Sequence, residues 1–179
     1  PWYDRECIRR PKRGVSMDLD IDPQGATDLF FDSFTIKQLQ HKFCSEPIWV
    51  GNLEFDVEKG EPIRLESHSN GNLKLWVQPD SNGQIPPMRY GGGADLGWGA
   101  QSTPSCLSIM NELGEKVLEF EDPSLGPNAC APFFAALCRL FKDRQGNGAK
   151  IAWEHHGPCG VAFGKKLIEL GYRNFYFQT

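Results

Sequence analysis

The fold is decided by a stretch that begins Tyr90-Gly-Gly-Gly-Ala-Asp95-Leu-Gly-Trp-Gly99 and resumes with Lys150-Ile-Ala-Trp-Glu154-His-His-Gly-Pro-Cys-Gly160. In both places an apolar segment ends at a carboxylate and gives way to a glycine-rich turn. A short apolar segment bounded by turn residues is typical of a strand inside a sheet. The pattern therefore predicts strands at 90–95 and 151–153, each with an acid at its carboxyl end.

The residues around these two strands predict further elements. Two more strands are expected at 105–110 and 116–120, joined by a hairpin turn at 111–114. Helices are expected at 128–142, which has a broad apolar face, and from Gly157 to Gly171, where Pro158 occupies the first turn. A last strand is expected at 175–177. The order β-β-β-α-β-α-β predicts an α/β fold in which a mixed sheet has helices covering its faces.

The amino-terminal half is less regular. Residues 1–47 are interpreted as a linker or amino-terminal extension with one short helix at 35–44. Residues 48–88 are interpreted as a small β-rich segment, with short strands at 48–50, 63–66 and 73–77 between Asn-Gly and Lys-Gly turns. These strands either form a small sheet of their own or extend the main sheet, whose core is residues 89–179.

Composition narrows the functional class. Hydrophobic residues make up 40% of the chain and charged residues 23%, which is typical of a soluble globular domain. No apolar run reaches the roughly 18 residues that a membrane-spanning helix needs. The formal charge of −4 disfavours a large nucleic-acid footprint. The cysteines show no Cys-x-x-Cys spacing, which argues against a zinc knuckle and favours a reducing cytoplasm.

The two carboxylates are the candidate site. Asp95 and Glu154 meet if their strands are neighbours, because sites in such sheets form beyond the carboxyl ends of central strands. Carboxylates are the ligands that Mg²⁺ and Mn²⁺ prefer, and a pair of such ions can promote phosphodiester hydrolysis. Two plainer roles stay open: Asp95 as a turn residue, and Glu154 as an acid favoured by a helix amino terminus.

Basic residues supply candidate nucleic-acid contacts. Lys165 and Lys166 lie on the last predicted helix, where they contact phosphates or simply form an exposed face. Arg9, Arg10 and Arg13 form a basic patch near the amino terminus, which is either a phosphate contact or a solvated loop.

Several short motifs resemble one family in their order along the chain. They are Gly93-Ala-Asp95-Leu-Gly97, then Ala152-Trp-Glu154 followed by Gly157-Pro-Cys-Gly160, then Glu169-Leu-Gly-Tyr-Arg-Asn-Phe-Tyr176. Together they resemble the nuclease domain of the large terminase subunit of tailed phages and prophages. The opening Pro1-Trp-Tyr-Asp4, with Leu19-Asp-Ile-Asp22 and Phe30-Phe-Asp32, resembles the segment that precedes the nuclease in that family.

The resemblance implies an RNase H-like fold and metal-dependent cleavage of concatemeric double-stranded DNA during packaging. It implies that Asp95 and Glu154 are catalytic and bind Mg²⁺ or Mn²⁺. It also implies the portal and the small terminase subunit as partners of the full-length protein, and the cytoplasm of an infected or prophage-carrying bacterium as the location. The family has a third acidic ligand on a later helix, so we expect the nuclease core to be cut short at Thr179.

Two rival interpretations remain. One is a resolvase- or transposase-like nuclease on the same scaffold. The other is a catalytically incomplete RNase H-like domain that docks DNA or a component of the packaging motor; the missing third acid and the negative net charge favour it.

Overall fold

The computed structural model describes residues 1–12, 14, 15, 19, 32–99 and 103–176, in two compact units, Pro1–Glu46 and Pro47–Thr179. The first unit contains helix α1, Trp2–Arg9, and helix α2, Ser33–Phe43. Asp32 caps α2 by accepting hydrogen bonds from the backbone N–H groups of Phe34 and Thr35, both at 2.9 Å. None of the described helices is long and apolar enough to cross a membrane.

Helix α1 was not predicted from the sequence. Four of its eight residues are charged and none is buried, so the segment was interpreted as a linker although its apolar residues follow a helical period. Ion pairs within the helix support it instead: Glu6 lies 2.7 Å from Arg9 and 2.9 Å from Arg10.

The second unit is built on one seven-stranded sheet in the order β2-β1-β3-β6-β5-β4-β7. The strands are β1 Trp49–Asp56, β2 Glu61–Ser67, β3 Leu73–Leu75, β4 Tyr90–Asp95, β5 Ser105–Asn111, β6 Lys116–Asp122 and β7 Lys150–Trp153. All pairs are antiparallel except β4 with β7, which is parallel. The prediction of a mixed sheet in an α/β fold is therefore confirmed.

The strands of residues 48–88 extend the main sheet. Strand β3 pairs with β1 on one side and with β6 on the other, where Leu73 faces Phe120 and Leu75 faces Leu118. All four of these side chains are buried. One hydrophobic layer thus runs beneath both halves of the sheet.

Two helices cover that layer: α3, Pro127–Leu140, and α4, Gly157–Glu169. Aromatic rings fill the interface, with Phe134 against both Phe120 of β6 and Phe163 of α4, and Phe163 against Trp153 of β7. Arg139 ties the end of α3 to the rest of the unit, since its guanidinium donates to the carbonyl oxygens of Gly60 (2.7 Å) and Leu170 (2.8 Å).

Both helices of this unit lie on the same face of the sheet, whereas the sequence predicted helices over its faces. The reason is the hand of the connections. The chain passes from β6 through α3 to the parallel β7, and then through α4 to Phe175, which forms a parallel bridge with Ile151. Crossovers between parallel strands of one sheet are right-handed as a rule, and these two move in the same direction across the sheet, which places both helices on one side.

The last predicted strand, at 175–177, is reduced in the described residues to this single bridge. Residue 177 lies outside the described part of the chain.

Candidate functional site

Asp95 is the last residue of β4, and the backbone directly after it is anchored at Gly97. The backbone N–H of Gly97 donates to the hydroxyl of Ser105 (2.9 Å), which is fully buried and donates to the carbonyl oxygen of Leu125 (2.8 Å). A Cβ on Gly97 would stand 1.9 Å from the carbonyl oxygen of Thr103, so only glycine fits there. Asp95 itself is exposed to solvent.

Glu154 directly follows β7. Its neighbours Trp153 and His155 both face α4: their rings lie 6.3 Å apart, and both lie near Gly164 of that helix. Because side chains alternate along an extended chain, Glu154 points to the opposite side. Helix α4 passes so close that a Cβ on Gly160 would stand 2.1 Å from the carbonyl oxygen of Glu154.

The structure places the two predicted residues after the same rung of the sheet. Strands β4 and β7 are parallel neighbours, and Ala94 is paired with Trp153. Asp95, the last residue of β4, and Glu154, which directly follows β7, come next after this pair, at the same edge of the sheet. Neither carboxylate forms a hydrogen bond or ion pair with a described residue.

Further acids share the sheet face on which Asp95 lies. We call this the polar face; it comprises Gly93, Asp95, Cys106, Ser108, Glu119 and Glu121, which border a depression of about 440 Å³. Cys106 is paired with Asp95 on one side and with Glu121 on the other. Burial raises the pKa of the Cys106 thiol, and the charges of Glu121, Asp95 and Glu119 raise it further.

Glu119 and Glu121 were not among the candidates taken from the sequence. The alternation of acids with apolar residues in Lys116-Val-Leu-Glu-Phe-Glu-Asp122 would have placed them on one polar face. What the sequence did not show is that this face continues across β5 to Asp95.

The carboxylates of Asp95 and Glu154 supply only part of the ligand set that a hard cation needs. Two unpaired, exposed carboxylates on neighbouring strands are suitable oxygen ligands for Mg²⁺ or Mn²⁺. Within the described ranges, however, no three or more His, Cys, Asp or Glu side chains are grouped so that they could hold a metal ion. A site here would need other ligands besides this pair.

The predicted nucleic-acid contacts Lys165 and Lys166 lie on α4, and Arg9 and Arg10 lie in the first unit. Lys165 is exposed on α4, and Lys166 pairs with Glu169 at 3.2 Å. Arg9 and Arg10 both bind Glu6, and their hydrogen bonds and charges lower the pKa of that carboxyl group. Arg13 lies outside the described residues.

Comparison with known proteins gives no assignment. No family model matches the chain, and neither a curated protein nor a solved structure matches it.

Proposed function

We propose that this chain is a metal-dependent endonuclease domain with an RNase H-like fold, of the kind found in the large terminase subunit of tailed phages. The observation that carries the proposal is the position of Asp95 and Glu154 at the carboxyl ends of neighbouring parallel strands. Substrate sites in sheets of this type form beyond those strand ends.

The topology supports the fold assignment. An antiparallel set, β4-β5-β6, is followed by α3, the parallel β7, α4 and a parallel bridge at Phe175. This is the β-β-β-α-β-α-β order that the RNase H-like interpretation requires. The crossovers bring β7 beside β4, and this adjacency creates the carboxylate pair.

The chemistry follows from the ligand types. Asp95 and Glu154 would hold Mg²⁺ or Mn²⁺, which supply Lewis-acid assistance for hydrolysis of a phosphodiester. The anchored loop at Gly97 and the close approach of Gly160 fix the backbone beside each carboxylate. The proposed substrate is concatemeric double-stranded DNA in the host cytoplasm, and the portal and the small terminase subunit are proposed partners of the full-length protein.

One observation favours a second candidate, a docking module without catalysis. Among the described residues, no group of three or more potential ligands that includes Asp95 and Glu154 is close enough to hold a metal ion. A domain with an incomplete metal site could still dock DNA or a motor component through the same scaffold.

Calorimetric titration with Mn²⁺ separates the candidates. We expect Asp95→Asn and Glu154→Gln each to weaken Mn²⁺ binding at least about tenfold, because affinity depends on the number of charged ligands. Glu58→Gln is the control, since Glu58 is an exposed acid in the turn after β1. Plasmid cleavage by the same proteins in Mn²⁺ then separates a nuclease from a docking module.

The outcomes are distinct. Binding that both site variants weaken and the control keeps, together with cleavage, supports the nuclease. The same binding without cleavage favours the docking module. Binding unchanged in both site variants rules out the carboxylate pair as the metal site.

A further inference from the structure

A second polar cavity lies at the other end of the two site strands. It measures about 550 Å³ and is lined by Arg89, Lys150 and Arg173, with Asp143, Asn147 and Asn174. None of these residues belongs to the carboxylate pair or to the basic residues that the sequence singled out. We call it the amino-end pocket.

The topology explains why the three cations converge. Arg89 immediately precedes β4, and Lys150 is the first residue of β7, paired with Gly91. Arg173 precedes Asn174, whose carbonyl oxygen accepts a hydrogen bond from the backbone of Ile151 (3.0 Å). The cations therefore stand at the amino ends of three adjacent chain segments, which are about 4.8 Å apart in a sheet.

Two of the three cations have no acidic partner. Arg89 lies 2.8 Å from Glu112, so its charge is matched. No described carboxylate lies within ion-pair distance of Lys150 or Arg173. The carboxylate of Asp143 is engaged within its own loop, where it accepts hydrogen bonds from the backbone of Gln145 (2.9 Å) and Asn147 (2.8 Å).

Arg173 is oriented by the fold. Its Nη1 donates to the carbonyl oxygens of Ile168 (2.6 Å) and Tyr172 (3.0 Å) at the end of α4. These bonds hold the planar guanidinium in place and leave its other N–H groups for a ligand. An arginine fork beside a lysine suits the tetrahedral oxygens of a phosphate group.

We propose that the amino-end pocket binds a backbone phosphate of the DNA duplex, through Lys150 and Arg173. This inference deepens the proposed function and rests on it for the identity of the polyanion. From Arg89 to Asp95 the extended chain covers about 20 Å. A duplex lying along β4 would cover that distance in about six base pairs. One duplex can therefore contact both ends of the strand.

Duplex binding in EDTA tests the pocket without the metal site. We measure fluorescence anisotropy of a labelled duplex of about 20 base pairs between about 50 and 200 mM salt. For Lys150→Gln/Arg173→Gln we expect about tenfold weaker binding at low salt and a salt slope reduced by about two, since two phosphate contacts are lost. The control is Lys59→Gln, an exposed lysine on the β1–β2 turn.

Three results would overturn the proposal: no duplex binding by the wild type, a double variant that binds like the wild type, or a control that loses as much affinity as the double variant. Free inorganic phosphate is the other ligand that could supply the same phosphate oxygens to the pocket, and it is tested directly. One outcome is that phosphate protects Lys150 from acetylation while the double variant binds the duplex as tightly as the wild type does. In that case the pocket binds free phosphate, and the proposed DNA contact is wrong.

Loss of binding must be distinguished from loss of folding, and failure of the pocket from failure of the proposed nuclease function. Circular dichroism melting checks each variant, and Lys150→Gln alone decides the test if Arg173→Gln unfolds, because the Lys150 side chain is exposed. Duplex binding that depends on Lys150 with no Mn²⁺ binding would retain the pocket and reject the nuclease. Mn²⁺ binding and plasmid cleavage, together with duplex binding that Lys150→Gln leaves unchanged, would retain the nuclease and reject the pocket.

Discussion

At the scale of single residues, two glycines near the carboxylates differ in whether a larger side chain would fit at their position. Gly160 lets α4 approach the backbone at Glu154, where a Cβ would come within 2.1 Å of a carbonyl oxygen. Gly93 has open space around its missing side chain, with nothing within 4 Å of an added Cβ. The two positions form a natural pair for comparing a required glycine with an optional one.

We predict that Gly160→Ala destabilises the protein and displaces Glu154. Backbone atoms must move to accept the methyl group, which costs about 1–3 kcal/mol. Gly93→Ala should stay within about 0.5 kcal/mol of the wild type, since it meets no atom. Urea unfolding and Mn²⁺ titration of both variants check this; equal stability of the two variants would contradict it.

At the scale of elements, the junction between β3 and β6 depends on charge. Glu119 of β6 lies between Lys116 (2.6 Å) and Lys74 of β3 (3.1 Å). The hydrogen bond from Lys116 lowers the pKa of the Glu119 carboxyl group; burial opposes this effect, and the hydrogen bond from Lys74 adds to it. The ionised carboxylate therefore stabilises the strand pair across which the two halves of the sheet join.

We predict an acid-dependent loss of stability from this group. A carboxyl whose pKa is lower in the folded protein stabilises the fold above its ordinary pKa of 4.5. That contribution is lost as the pH falls below this value and through the folded pKa. Urea midpoints of the wild type and Glu119→Gln from about pH 6 to about pH 3 should converge as the pH falls. A gap that stays constant over that range would contradict this account.

The helices and strands also show which features of the fold can be predicted from sequence patterns. Strand β4 was predicted at its observed bounds, and the hairpin after β5 lies where Asn111-Glu-Leu-Gly114 indicated, because such signals are local. The adjacency of β4 and β7 entered the sequence interpretation only as the condition under which Asp95 and Glu154 would meet, and the structure supplies it. The insertion of β3 between β1 and β6 could not be predicted, because the pairing of Leu73 with Phe120 joins residues far apart in sequence.

At the scale of the whole molecule, residues 47–179 form a compact unit with one buried layer. Leu75 of β3, Ile109 of β5 and Phe163 of α4 are all fully buried within that layer. Because both halves of the sheet share one core, neither half should unfold without the other.

We predict that a fragment comprising residues 47–179 folds by itself and melts in one transition. Its circular dichroism should show the strands and helices of the second unit, and amides of β3 should be protected from hydrogen exchange as strongly as those of β5. The full chain provides the reference spectrum. Two separate transitions, or early exchange confined to β1–β3, would show that the sheet is energetically divided.

The arrangement of both helices on one side of the sheet has an evolutionary consequence. Asp95, Glu154 and Lys150 are all exposed, and none belongs to the packed layer that holds the domain together. Selection can therefore change what the surface binds, or abolish its activity, while the determinants of folding remain untouched. A lineage built on this scaffold can diversify at these positions with little risk to its ability to fold.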